Sequence, residues 1–315
     1  ANINYQPYLE YLRGERDEET LRIGLVTATG VIMDGRQPAG SIGGDSLSLQ
    51  LRGIREDRDI DALVLRVDSP GGSAFASELI RRELQLVGEM GIPIVVSMSS
   101  TAASGGYWIS MPADEIWALP TTLTGSIGAF SAVPTFEDSL AALGISSDGV
   151  ATGPLAGALQ LDRALSEQAS TILQSNLEHL YNQFVQLVSD ARGIEPGQLQ
   201  QYAEGRVWTG QQAFDMGLVD RLGGLNQAVA SAAALAGNPD NYRLVPVDRP
   251  LTWREELARL IGGSAKTLLP GLNANQLQTM LQLLGLDEAS LQLNSLLNDP
   301  GYRYLICSSC SLGVF

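Results

Sequence analysis

Short apolar runs alternate with helically spaced ones from residue 21 to about residue 160. Leu21–Thr27 and Ala62–Asp68 read as buried strands, each a short apolar run rather than a helical stripe. Between them, Asp45 is placed to cap a helix carrying Leu47, Leu51 and Ile54 on one side. Residues 73–90 set Leu79, Ile80, Glu83, Leu84 and Val87 at helical spacing, and Pro93 opens a strand through Ile94–Met98. Glu115–Leu119, Gly125–Phe130 and Ile145–Val150 are further expected strands, with a helix over Pro134–Leu143. Repeated strand-then-helix units imply a largely parallel, layered α/β core.

Beyond residue 160 the period changes. Ser166–Arg192 reads as one long amphipathic helix with Ile172, Leu173, Leu177, Leu180, Phe184, Leu187, Val188 and Ala191 as its apolar positions. Gly205–Gly210 is a short extended element, followed by a helix ending at Gly217 and another over Leu225–Leu235. Past Pro250 the chain is rich in Leu and Gln, with helices expected at Trp253–Ile261 and Asn275–Leu284. This divides the chain into an N-terminal extension over 1–20, an α/β domain over 21–240 and a mainly helical extension over 241–315, without a short internal repeat.

The 44% hydrophobic and 17% charged composition of these 315 residues is that of a globular protein. A formal net charge of −15, from 35 acidic and 20 basic residues, disfavours nucleic acid and anionic membrane surfaces, which require clustered cations. No apolar stretch approaches the roughly 20 residues that cross a bilayer. Ala1–Tyr5 has neither an initiator Met nor the layout of a signal peptide, and reads as a cut end. Cys307 and Cys310 form a lone CxxC that lacks the second pair of a structural zinc site, leaving a tail disulfide or free thiols. Neither a metal nor a cofactor is expected.

The candidate chemistry centres on Ser104, in Thr101-Ala102-Ala103-Ser104-Gly105-Gly106, directly after the strand that Pro93 opens. If the chain turns there from strand to helix, N–H groups at Ser104 and Gly105 lie at an electropositive helix start that suits a developing oxyanion. A second turn, Pro70-Gly71-Gly72, also follows a strand and offers a further donor, Gly72 first and Gly71 otherwise. Tight strand–helix turns alone would also explain both Gly-Gly pairs. A serine nucleophile needs a proton acceptor. The chain has one histidine, His179, on the polar face of the long helix, and one lysine, Lys266, far downstream in the tail. Neither is placed as a partner.

Taken together, Gly30–Gly35, Leu65–Ser73, Ala102–Ser110, Thr122–Gly128 and Val207–Gly210 resemble the C-terminal half of long, tandem signal peptide peptidases, which use a serine/lysine dyad. Even the tail from Asn298 through Cys310 is similar. The resemblance implies the Clp protease/crotonase-like fold, a superhelix of ββα units, over the α/β domain. It implies Ser104 as nucleophile, Gly105 with the Gly71–Gly72 turn as oxyanion hole, and Ser126 as the hydroxyl that orients the lysine. Tyr107 and Trp108 then either line the substrate groove or pack in the core. Short family members carry the lysine about fifty residues after the serine, where this chain reads Thr152-Gly153-Pro154-Leu155. In tandem members the N-terminal half supplies it, so the isolated chain is expected to be a poor enzyme. The resemblance further implies a ring- or dome-shaped oligomer, released signal peptides as substrates, and the periplasmic face of a bacterial inner membrane. The alternatives are a non-catalytic scaffold half and a crotonase-type acyl-CoA enzyme, the latter disfavoured by the acidic balance and the scarcity of lysine for the CoA phosphates.

Overall fold

The computed structural model describes residues 20–247, except 39, 58, 151, 154 and 159, and the backbone of residues 303–306. Thirteen strands and eight helices are assigned among these residues. The strands are β1 (Leu21–Thr29), β2 (Ile32–Met33), β3 (Ile42–Gly43), β4 (Ala62–Ser69), β5 (Gly71–Ser73), β6 (Ile94–Ala103), β7 (Glu115–Ala118), β8 (Leu123–Gly125), β9 (Phe130–Ser131), β10 (Val207–Thr209), β11 (Arg221–Leu222), β12 (Tyr242–Pro246) and β13 (Arg303–Ile306). The helices are α1 (Gly44–Asp57), α2 (Ala74–Glu89), α3 (Gly105–Trp108), α4 (Glu137–Ala142), α5 (Glu167–Arg192), α6 (Pro196–Leu199), α7 (Gly210–Asp215) and α8 (Leu225–Leu235).

The main sheet runs β10-β8-β6-β4-β1-β12, with β7 beside the first half of β6 and β11 beside β7. Every pairing in it is parallel except β10 against β8. This is the mixed α/β architecture with a mainly parallel sheet that the alternation predicts. Helices cover both faces, which is why Ala62, Leu63, Val64 and Leu65 are all fully buried rather than alternating. Leu63, Leu65 and Val67 join the larger core with residues of α1, α2 and α5. Ala62, Val64 and Val95 face α8 through Ala228, Val229 and Ala232. Helix α8 covers only the start of that face. Further along, Arg66 and Asp68 are half-exposed, and Arg66 bonds the hydroxyls of Ser97 and Ser99.

Helix α5 begins where predicted, its Ser166 hydroxyl accepting the Ala169 N–H at 3.1 Å, and ends at Gly193 with φ 64°. Only its second half packs fully, through Leu180, Phe184, Val185 and Val188; Ile172 and Ala191 are exposed.

Three sequence expectations are corrected. Gly125–Phe130 is not one strand: β8 ends at Gly125, because Ser126 takes φ 51° and leaves the ladder. Ile145–Val150 forms no strand; its side chains are exposed, Val150 at 97%, and no described strand pairs with it. The α/β domain does not stop at 240, since β12 adds to β1 in register from Leu21↔Tyr242 to Leu25↔Pro246. The expected helices at 253–261 and 275–284, together with Lys266, Cys307 and Cys310, lie outside the described residues. Among the described residues no helix is long and apolar enough to cross a membrane.

A second, smaller sheet, β3-β2-β5-β13-β9, is built from short strands. It packs where the parallel strands end, since β5 follows β4 after a single residue and contacts α3. That edge is where open α/β sheets place their ligand sites.

Candidate active site

Three neighbouring strands, β4, β6 and β8, each end in a sharp turn at the same edge of the sheet. Ser69 lies beside Ala102, and Ala103 beside Gly125, so Ser104 and Ser126 leave adjacent strands at the same level. Adjacent strands are about 4.8 Å apart, which sets the two serines side by side. The Ser104 N–H donates to the Gly125 carbonyl at 2.8 Å, and the Ser126 N–H to the Arg206 carbonyl at 2.8 Å.

Ser104 has φ 53° and ψ −114°, a conformation that costs a non-glycine residue roughly 1–3 kcal/mol. Helix α3 starts at the next residue, with the Trp108 N–H bonded back to the Ser104 carbonyl at 2.8 Å. A serine held on a strained strand-to-helix turn is the arrangement that presents a nucleophilic hydroxyl. Gly106 allows this tight turn, because a Cβ there would meet the Ser69 carbonyl oxygen at 2.8 Å. Ser104 is 1% exposed, and its Oγ has no hydrogen-bond partner among the described residues. A buried unpaired hydroxyl normally costs about 1–3 kcal/mol.

The oxyanion donors sort themselves. The Gly105 N–H opens α3 and has no acceptor within that helix. In β5, the Gly71 N–H is already given to the fully buried Ser69 hydroxyl at 3.1 Å. Gly71 is therefore a weaker candidate than Gly72, which follows it at φ 153°. The Ser73 hydroxyl then accepts the Ala76 N–H, capping α2, and donates to Asp34 Oδ1. Both bonds fix the direction of the glycine strand. Asp34 belongs to a stretch singled out in the sequence without a role, and nothing in its spacing connects it to Ser73.

Tyr107 does not line a groove. It is fully buried, its phenol donates to the Leu218 carbonyl at 2.7 Å, and burial pushes its pKa well above the usual value. The cause is direction: on α3 Tyr107 turns toward Leu218, while Trp108 turns toward Phe184 and Glu78. Tyr107→Phe is expected to lower unfolding free energy by about 1 kcal/mol in urea titration, with cleavage unchanged. Trp108 is nearly buried too, packed against Phe184 with ring centroids 4.8 Å apart and planes tilted by 55°, and with its indole N–H on Glu78. It nevertheless forms one wall of a cavity of about 440 Å³ with Ala74, Phe75, Leu180 and Leu187, and with the polar Glu78, Arg81, Gln183 and Gln186. Phe75 is 58% exposed there. This cavity, part apolar and part polar, lies between α2, α3 and α5.

His179 is exposed on α5. No lysine occurs among the described residues.

Residues 88–238, which include Ser104, Ser126 and α5, match the model of peptidase family S49. A relative from Synechocystis sp. is 35% identical over 269 residues, covering 85% of this chain and 89% of that protein. The chain belongs to peptidase family S49. Other relatives are longer. Protease 4 of Salmonella typhi is 42% identical over 290 residues, 92% of this chain but 47% of its own length. The chloroplastic serine protease SPPA of Arabidopsis thaliana is 33% identical over 91% of this chain and 45% of its own length. The chain thus spans about half the length of these two relatives. A mutant ClpP1 from Listeria monocytogenes superposes with a TM-score of 0.44 at 15% identity, over 65% of this chain and 94% of that one.

Proposed function

We propose that this S49 chain is the nucleophile-bearing part of a serine peptidase. The observation that carries the reading is the Ser104 hydroxyl, buried and unpartnered on a strained turn between two candidate oxyanion donors. Ser104 Oγ attacks the scissile carbonyl, and the N–H groups of Gly105 and Gly72 receive the negative charge that develops on its oxygen. The leaving amine departs protonated, and water then releases the acyl group from Ser104.

The proton acceptor in this reading is a lysine amine held neutral by burial and contributed by an N-terminal half of the longer protein. Ser126, beside Ser104, holds that amine in position. The substrates are extended peptides, with released signal peptides as the expected class, cut inside an oligomer at the periplasmic face of a bacterial inner membrane. In the cavity beside Trp108, Phe75, Leu180 and Leu187 suit the apolar side chains such peptides carry.

The test is intact-mass detection of a serine-reactive acylating probe on the chain alone and on the chain co-expressed with its N-terminal half. Labelling at Ser104 only in the presence of the other half supports a split dyad. Equal labelling of the isolated chain rejects the split and turns the search for a base to Lys266. Absence of labelling in both rejects the peptidase reading.

A further inference from the structure

Gly71 and Gly72 have no side chain to hold the peptide plane between them. Both take positive φ, 101° and 153°, a region in which glycine turns with little hindrance. The direction of the Gly72 N–H is therefore set by what grips the chain on either side. Before the pair, the Ser69 hydroxyl accepts the Gly71 N–H at 3.1 Å. After it comes Ser73, only 2% exposed and held by three side-chain bonds. Its hydroxyl accepts the Ala76 N–H at 3.2 Å, and its carbonyl accepts the Ser77 hydroxyl at 2.8 Å. Those two bonds lie within the start of α2 and move with it. The third, from the Ser73 hydroxyl to Asp34 Oδ1 at 2.5 Å, reaches a different segment. Asp34 is itself anchored. It directly follows β2, which pairs with β5 at Ile32↔Gly72. Its carbonyl accepts the Gln37 side-chain amide at 2.7 Å, and the Gln37 N–H goes to the Ser46 hydroxyl at 3.1 Å. The next carbonyl, of Gly35, accepts the Asp45 N–H at 3.1 Å. Asp45 and Ser46 belong to the first turn of α1, so the Asp34 carboxylate is fixed against the core.

We infer that Asp34 is a positioning residue for the oxyanion donor, acting through the Ser73 hydroxyl to keep the Gly72 N–H aimed at the developing charge. The inference rests on the peptidase reading and adds what holds that donor in place. A hydrogen bond to a carboxylate is roughly twice as strong as one between neutral groups. The Ser73 hydroxyl has a single proton to give, and being nearly buried it needs an acceptor. Without Asp34 it must turn toward another acceptor, and the adjoining glycines offer no resistance to the movement. Misplacing a group at the reacting centre by about 1 Å costs up to about 10²-fold in rate. The Gly72 N–H meets full negative charge only as the transition state forms, so the loss falls on kcat and spares KM.

The experiment compares Asp34→Ala, Asp34→Asn, Ser73→Ala and the Asp34→Ala/Ser73→Ala double variant, each co-expressed with the N-terminal half. It measures kcat and KM for a fluorogenic peptide, with kcat counted per Ser104 finally acylated by the serine-reactive probe, so that unfolded molecules do not enter. The expected result for Asp34→Ala is a kcat lower by about tenfold to a hundredfold, with KM within about twofold. Asp34→Asn, whose amide oxygen accepts the same O–H, should recover most of that loss. The double variant should be little worse than Ser73→Ala alone, because both changes remove one bond. An unchanged kcat per labelled site in Asp34→Ala overturns the inference, as do losses that multiply in the double variant; either makes Asp34 a structural anchor only. Should Asp34→Ala fail to fold, Ser73→Ala decides, and an unchanged kcat there overturns the inference equally. An unaltered protein that neither cleaves nor labels rejects the peptidase reading, and this inference with it.

Discussion

Ser104→Ala is expected to abolish peptide cleavage by the assembled protein and, at the same time, to leave the fold intact or more stable. The catalytic loss should be about 10³-fold or more in kcat/KM, the scale on which loss of a hydrolase nucleophile is felt. The stability change follows from the Oγ environment. A hydroxyl that is buried without a partner contributes nothing to the fold and imposes its desolvation cost, so removing it should raise unfolding free energy by about 1 kcal/mol. The strained backbone persists in alanine, since Gly125 and Trp108 hold the turn through main-chain bonds at 2.8 Å. Cleavage assays beside urea unfolding check both halves. A variant that loses activity together with stability would mean that Ser104 serves packing, and the site reading would fall.

Gly72→Ala is expected to damage stability and catalysis together. An added Cβ would lie 1.9 Å from the Ile32 carbonyl oxygen and 2.8 Å from the Ile32 nitrogen, both backbone atoms of β2. The Ile32↔Gly72 pairing must then open, and the φ of 153° adds strain for any L side chain. The combined cost should be about 3 kcal/mol or more, among the larger effects of a single substitution. Because β5 would shift as a unit, its N–H would no longer meet the developing oxyanion, and kcat should fall by about 10²–10³-fold in the surviving folded fraction. Thermal melts with kcat at saturating peptide separate the two effects. A folded, fully active Gly72→Ala protein would remove Gly72 from the oxyanion role.

The strand–helix alternation and the strand-to-helix turn at Ser104 were legible because they depend on local chemistry. Ala62–Leu65 and Ile94–Met98 announce buried parallel strands by being almost continuously apolar, which helices on both faces require. Ser104 stood out because Gly105 and Gly106 follow it, and Gly106 proves necessary where the turn passes the Ser69 carbonyl. Ile145–Val150 misled for the converse reason. Only Ile145 and Val150 are apolar there, around the turn-type Ser146-Ser147-Asp148-Gly149, and these side chains stay exposed with no partner strand to bury them. Tyr107 and Trp108 are adjacent in sequence and equivalent in propensity. Their different directions on α3 are set by what packs against each, Leu218 on one side and Phe184 on the other.

Sequence alone determined the class of architecture, the long helix α5 and the turn that carries Ser104, since each follows from spacing or glycine placement within a few residues. Tertiary structure alone decided that Ser126 stands beside Ser104, that Ser69 takes the Gly71 N–H and leaves Gly72, that Asp34 ties down Ser73, and that residues 303–306 lie along Gly71–Ser73. These are contacts between segments from 2 to more than 230 residues apart, set by strand register and by which edge each turn reaches. Register is a property of the assembled sheet, so no local pattern encodes it.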